Sequence, residues 1–292
     1  MQTGTATGDI VMTRVLAIAR RAAGLLLAAP LAALAAGGGM ALDRAPVREN
    51  DVASLQRGAA VFANYCLNCH SASFMRYNRL RDLGLTDEQI RDNLIFTGVK
   101  VSDHMNVAMD RKDSAEWFGA APPDLTLVGR SRSSPQGSGT DWVYTYLRTF
   151  YRDPARPTGW NNLLFPNVAM PHVLWQLSGE NVLVTEEFKS RAEAEAALRR
   201  SGRPGRVDEA ISVGKDGKET ARYQLLTLKP GAGAMSALEY DTMVADLANY
   251  LGYMAEPTRL ERRELGVWVL IFLGVLFIFA YLLKKEYWKD VH

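Results

Sequence analysis

Apolar positions recur with helical spacing in several stretches of this chain and run unbroken in one. From Asp51 to Ala63, Leu55, Ala59 and Phe62 fall on one face, which predicts a helix. Thr86, with Gln89 three residues on, is a capping-box signature and predicts a helix from Asp87. Asp141 is suited to cap a helix through Trp142, Tyr146 and Leu147. Glu186 to Arg200, charged and alanine-rich, predicts a surface helix, and Tyr240 to Met254 another that leads into Glu256-Pro257. Strand signals are rarer: Ile211-Ser212-Val213 and Glu219 to Leu226 read as a hairpin closed by Gly214-Lys215-Asp216-Gly217. Pro122-Pro123 forces extended backbone, and Ser131 to Thr140 is a Gly/Ser/Pro-rich loop. No internal repeat is visible. The expected fold class is mainly α, with loop and short β-hairpin insertions.

The unbroken run is Leu265 to Leu283, nineteen positions without a charge. At 1.5 Å per residue it spans about 28 Å, close to the ~30 Å hydrocarbon core of a bilayer. Trp268, Tyr281, Tyr287 and Trp288 fall near its ends, where interfacial aromatics belong. A second apolar stretch, Ala22 to Ala36, is shorter, alanine-rich and preceded by Arg14, Arg20 and Arg21, the layout of a secretory signal peptide. Ala33-Leu34-Ala35 and Gly39-Met40-Ala41 are alternative cleavage sites, and translation from Met12 fits the uncharged first eleven residues. The arginine pair is read as an ordinary basic region rather than a twin-arginine signal. The expected organisation is therefore a signal peptide over 1–41, an exported domain over 42–264, an anchor over 265–283 and a cytoplasmic tail over 284–292. That puts the chain in a bacterial inner membrane, single-pass, with its body in the periplasm.

Charge changes the picture little until the chain is divided. Net charge is +2, but from Leu42 to Glu264 28 lysines and arginines face 29 acidic residues, a net of about −1. Nothing in this balance suggests nucleic-acid binding. Between Asp82 and Asp124 nine acidic residues face four basic ones. Such a bias is either a solvated face or a docking face for a basic partner, with Asp82, Asp87, Glu88 and Asp92 as its candidates.

The two cysteines occur together, in Cys66-Leu67-Asn68-Cys69-His70. CxxCH is the pattern of c-type haem attachment. Each thiol adds across a porphyrin vinyl group, and the adjacent histidine supplies the proximal axial ligand. A thioredoxin-like redox pair would want a βαβ context, which is missing, and would leave His70 without a role. With no cysteine spare, export carries no risk of a wrong disulfide. For the second axial ligand the residues leave alternatives open. Met170 lies between prolines in Phe165-Pro166-Asn167-Val168-Ala169-Met170-Pro171, a rigid loop far from His70, and His172 competes with it. Most methionines are core filler. His104 is another histidine, and His292 falls on the far side of the anchor.

Several motifs together resemble the cytochrome c1 family, the haem subunit of the cytochrome bc1 complex. They are Cys66 to His70 followed by Met75-Arg76-Tyr77-Asn78-Arg79-Leu80; Trp117-Phe118-Gly119-Ala120-Ala121-Pro122-Pro123-Asp124-Leu125; Arg130-Ser131-Arg132; Asn161 to Pro166 with Met170-Pro171; and Ala255-Glu256-Pro257 ahead of the anchor. The resemblance runs from about Leu42 to the end, and is least clear over 179–226. It implies one covalent haem c, Met170 as sixth ligand, and Arg132 at a haem propionate with Arg130 as runner-up. It also implies partners: a cytochrome b subunit, a Rieske iron–sulfur protein and a soluble cytochrome c, in a dimeric complex within the lipid membrane.

What this implies chemically is an electron-transfer subunit of a quinol–cytochrome c oxidoreductase that makes and breaks no bonds itself. Thioether sulfur favours ferrous iron and raises the potential, and a closed six-coordinate iron leaves no room for a substrate. Two other classes stay open at this point: a free-standing anchored carrier, and a haem enzyme or gas sensor with an open coordination position.

Overall fold

The computed structural model describes residues 40–202, 204–213 and 219–290. Apart from Met40 and Ala41, the predicted signal segment lies outside that range, as do the turn at 214–217 and His292.

Asp51 caps helix α1 (Val52–Val61), accepting the amide of Ser54, and the chain then widens into a π-helical turn, Phe62–Cys66. Strand β1 (Ala72–Arg76) and a 3-10 turn (Tyr77–Leu83) follow, the turn ended by Gly84 at φ 77°. Helix α2 (Asp87–Leu94) starts on the capping box of Thr86 and Gln89 that the sequence predicts. Strand β2 (His104–Met105) pairs antiparallel with β1. Helix α3 (Arg111–Phe118) is capped by Asp110, and the short α4 (Val128–Ser131) precedes α5 (Gly139–Arg148). Strands β3 (Phe150–Arg152) and β4 (Trp160–Asn162) pair antiparallel, and a single helical turn, α6 (Trp175–Ser178), follows. Then come β5 (Val182–Phe188), α7 (Arg191–Ser201), β6 (Gly205–Val213) and β7 (Glu219–Lys229), a three-stranded antiparallel sheet in the order β5-β7-β6. Helix α8 (Ala237–Ala255), capped by Ser236, leads to α9 (Arg259–Tyr287).

The described residues are mainly helical, as expected, with three corrections of detail. Helix α5 begins three residues earlier than predicted, because Ser138 is its cap and Asp141 is the third-position partner of a capping box. The helix predicted from Glu186 begins instead at Arg191. Glu186, Glu187 and Phe188 belong to β5, paired residue for residue with β7, and Ser190 caps the helix after them. The predicted hairpin is real but longer, and β5 makes it a sheet of three strands.

Helices α1, α5 and α8 meet around one core. Phe62 and Tyr250 are each 1% exposed or less, their ring centroids 5.7 Å apart. The N-terminal segment is tied in by Arg148, which donates to both oxygens of Asp241 at 2.6 and 2.8 Å and to Asp43 at 2.6 Å. Its guanidinium also lies over the Tyr144 ring, 4.5 Å from the centroid. Helix α9 is exposed along its whole length and, among the described residues, is the one helix long and apolar enough to cross a membrane.

The contact between α1 and α8 is close enough to require glycine. A Cβ at Gly58 would sit 2.1 Å from the Asp246 carbonyl oxygen and 2.7 Å from Tyr250 Cβ. Gly58→Ala is expected to destabilise the domain by about 1–3 kcal/mol through overpacking, and thermal unfolding followed by circular dichroism measures it.

Candidate functional site

The π-helical turn before Cys66 carries the CxxCH motif out of α1. Its amides turn back on the same carbonyl: Cys69 N–H and His70 N–H both donate to Cys66 O, at 3.1 and 2.9 Å. This tight loop turns Cys66, Cys69 and His70 toward one cavity of about 400 Å³. Burial, with a smaller contribution from Cys69, pushes the Cys66 thiol up to about 12, and burial also raises Cys69. Thiols whose pKa is raised by burial do not suit a thioredoxin-like pair, which works through a low-pKa thiolate.

His70 is 9% exposed, and its Nδ1 lies 2.7 Å from the Pro123 carbonyl oxygen. A carbonyl only accepts, so the Nδ1 proton is assigned by this partner. Burial lowers the imidazole pKa against the opposing effects of Pro123 and Asp124, which favours the neutral ring. Nε2 keeps its lone pair and has no hydrogen-bond partner among the described residues. That is the state a metal-ligating histidine needs.

The Pro-Pro segment explains how that carbonyl is held. Leu125 N–H donates to Ser71 O at 2.9 Å. Asp124 accepts from the Ser73 amide at 2.7 Å and from the Thr126 amide and hydroxyl at 2.8 and 2.5 Å. Burial alone would raise the Asp124 carboxyl, but these bonds outweigh it and hold it below the usual range. Asp124, counted in the sequence among a run of acidic residues, is thus committed to local structure.

Met170 lines the same cavity, and the Tyr146 hydroxyl donates to its Sδ at 3.5 Å. Tyr146 stacks on Trp142 at 4.8 Å, and the Arg132 guanidinium lies 4.5 Å over the Trp142 ring. A continuous line of contact therefore runs from Arg132 to the thioether. Arg132 is exposed yet lines the cavity, which puts it at the rim. Arg130 does not line it: its guanidinium pairs with Glu256 at 3.0 Å, at the base of the anchor helix.

The loop bearing Met170 is held by asparagines. Asn162, fully buried, accepts at Oδ1 from the Leu164 and Phe165 amides, both at 3.0 Å, and donates to Tyr146 O at 2.8 Å. Asn161 Oδ1 accepts from the Asn167 amide at 2.8 Å. Asn167 adopts φ 62°, and Arg156 donates to both its side-chain and main-chain oxygens, at 3.2 and 3.1 Å.

His172 is not a competitor for the cavity. It is 2% exposed, stacked on Phe150 at 4.8 Å with Trp160 edge-on at 5.1 Å, and its Nε2 is 2.8 Å from the Ser178 hydroxyl. Burial lowers its pKa to about 4, so it is neutral in the core. His104 lies in β2 and is absent from the cavity lining. Leu247 and Leu251 of α8 close the remaining wall.

The predicted docking carboxylates are mostly neutralised. Asp82 pairs with Arg79 at 2.7 Å, Asp87 with Arg81 at 2.6 Å and Asp92 with Arg91 at 3.4 Å. Glu88 makes no ion pair among the described residues.

The model of the cytochrome C1 family matches residues 43–191 and 235–291, more than half of the chain. The chain belongs to the cytochrome c1 family. It is 49% identical to a cytochrome c1 of Allochromatium vinosum, over 91% of this chain and 96% of that protein. It is 44% identical, over the same shares, to a Nitrosomonas europaea protein named ammonia monooxygenase gamma subunit, and 28% identical to a cytochrome c1 of Rhodospirillum rubrum over 96% of this chain. Cytochrome c1 proteins carry one covalently bound c-type haem and act as membrane-anchored electron-transfer subunits of the bc1 complex, which includes cytochrome b. The residues present fit that group: two thiols, an imidazole nitrogen without a partner and a thioether sulfur border one largely apolar cavity.

Sequence reasoning missed the positioning groups Pro123, Asp124, Tyr146, Asn161, Asn162 and Arg156. The only signal in the sequence was the adjacent pair Asn161-Asn162 ahead of a proline loop; their burial, which makes them organise backbone, is seen in the structure. Asn167 gives a direct test. A β-branched side chain is strained at φ 62°, so Asn167→Val is expected to cost about 1–2 kcal/mol or more in thermal unfolding, and Asn167→Gly less.

Proposed function

We propose that this chain passes single electrons from a Rieske iron–sulfur protein to a soluble cytochrome c, on the periplasmic side of a bacterial inner membrane. Cys66 and Cys69 attach the haem, and His70 and Met170 supply its axial ligands. The observation that carries the reading is the convergence of a partnerless His70 Nε2 and the Met170 Sδ on one cavity bordered by the two thiols. When bound, the haem supplies a one-electron couple whose ferrous form a thioether favours.

The chain's own residues prepare that couple. Pro123 fixes the proton on Nδ1 and so keeps Nε2 available. Tyr146 holds the thioether by a hydrogen bond and, with Trp142, excludes water beside it. Arg132 at the rim suits a propionate, since a charge-assisted bond offsets the cost of bringing a carboxylate toward an apolar site. The burial of Met40 against Leu163 and Leu226 favours signal cleavage upstream of it, at Ala33-Leu34-Ala35.

The Nitrosomonas relative bears a monooxygenase name. A carrier suits this chain better, because a site supplying both an imidazole nitrogen and a thioether leaves no coordination position for oxygen.

Met170→Leu is expected to lower the midpoint potential and abolish quinol-to-cytochrome turnover in the detergent-purified complex. An unchanged potential and spectrum would point instead to an open-coordination haem protein. For the docking face, reversing Asp87 and Glu88 together to lysine is expected to slow reaction with the soluble cytochrome mainly at low salt. A rate with the wild-type salt dependence would remove those carboxylates from the interface.

A further inference from the structure

The family model leaves out residues 192–234, yet this segment is not a free appendage. Helix α7 covers one face of the β5-β7-β6 sheet, the face of Leu225 and Thr227: a Cβ at Gly205, the partner of Thr227, would meet Leu198 of α7 at 2.7 Å. Leu226 and Leu228 point to the other face, because side chains alternate along a strand. There they form a separate cluster with Leu163, joined at its margin by Tyr151, Leu164 and Leu183. Arg206, the cross-strand partner of Leu226, lies on this same face. It donates from Nη1 to the Leu163 carbonyl at 3.1 Å and pairs from Nη2 with Asp208 at 2.9 Å.

Leu163 and Leu164 stand between Asn162 and the cavity-lining residues Phe165, Val168, Ala169 and Met170. The start of the Met170 loop is therefore covered by the inserted sheet, while its later residues border the cavity. Apart from the bond from Leu163 N–H to Thr149 O at 3.0 Å, no helix or ladder bonds support residues 163–170, so side chains supply the rest.

We propose that the inserted module is a positioning buttress for Met170, acting through Arg206 on the Leu163 carbonyl and through Leu226 and Leu228 on the Leu163 side chain. The proposal rests on the reading of Met170 as axial ligand. Uncoupling the module leaves a buried carbonyl unsatisfied, which costs free energy. Part of that cost is relieved by loosening the loop. Loosening weakens thioether ligation, and the ferrous form, which the thioether favours, loses more by it.

The test uses the full chain in its detergent-purified complex, with two readouts: redox titration of the c-type haem, and the near-infrared absorption of sulfur-ligated ferric haem. Arg206→Met should raise the oxidised-to-reduced ratio at fixed ambient potential by roughly five- to tenfold and weaken the near-infrared band. Arg206→Lys, which keeps one donor, should restore most of both. Arg222→Met, which breaks only the exposed pair with Glu187, should change neither. A wild-type potential and band in Arg206→Met would overturn the buttress. If that variant does not accumulate, the milder Leu226→Val is measured in the same way, and wild-type values there overturn it equally. Met170→Leu in parallel separates the two ideas. If it keeps the near-infrared band, the ligand reading fails; if it loses the band while the module variants are silent, only the buttress fails.

Discussion

The hydrogen bond from His70 Nδ1 to the Pro123 carbonyl, 2.7 Å long, is the contact on which the rest of the site depends. A buried imidazole with both nitrogens unpartnered would turn to find a donor or acceptor, and no metal would then find a fixed ligand. The carbonyl does this work because proline cannot rotate φ and has no N–H to divert. Asp124 and Leu125 then stitch the segment to Ser71 and Ser73, residues that follow His70 directly. The imidazole proposed as ligand and its orienting carbonyl are thus fixed relative to each other by bonds only a few residues away from both.

The proposed second ligand poses a harder problem. Met170 is about a hundred residues downstream, in a loop where regular secondary structure does not hold the backbone. Folding meets this with side-chain amides: Asn161 and Asn162 take the role that a ladder would take elsewhere, accepting four backbone amides between them. Because Asn162 also donates to Tyr146 O, the helix that carries Tyr146 and the loop that carries Met170 are one unit. The Tyr146 hydroxyl closes the circuit on the thioether itself.

These two halves differ in how far the sequence revealed them. CxxCH, the Thr86 box and the anchor were legible because each is a local pattern with a local cause. The choice between Met170 and His172 was not, since both sit beside the same proline and only packing against Phe150 and Trp160 takes the histidine into the core. Glu186 and Glu187 precede a helix and have good helix propensity, yet pairing with β7 draws them into a strand, a tertiary override of a weak preference. A count of charges is incomplete in a related way. Counting acidic residues between Asp82 and Asp124 says nothing of Arg79 and Arg81, which lie just outside that window or at its edge and neutralise two of the candidates.

Arg130 and Arg132 show the same lesson with a structural consequence. Two residues apart, they leave α4 in different directions, one to Glu256 at the head of the anchor and the other over Trp142 at the cavity rim. Glu256 also receives Arg262 at 3.1 Å and Arg259 at 3.9 Å, and Glu49 receives Arg259 at 2.9 Å. Such partly exposed pairs contribute little stability each, about 0–1 kcal/mol. Their effect is directional: they clamp both ends of the Pro257 junction, tying α4 and Glu49 to the point where α8, whose Leu247 and Leu251 line the cavity, passes into the anchor helix. A membrane-anchored electron-transfer subunit needs that, because the position of its redox site relative to the anchor is set by the chain itself.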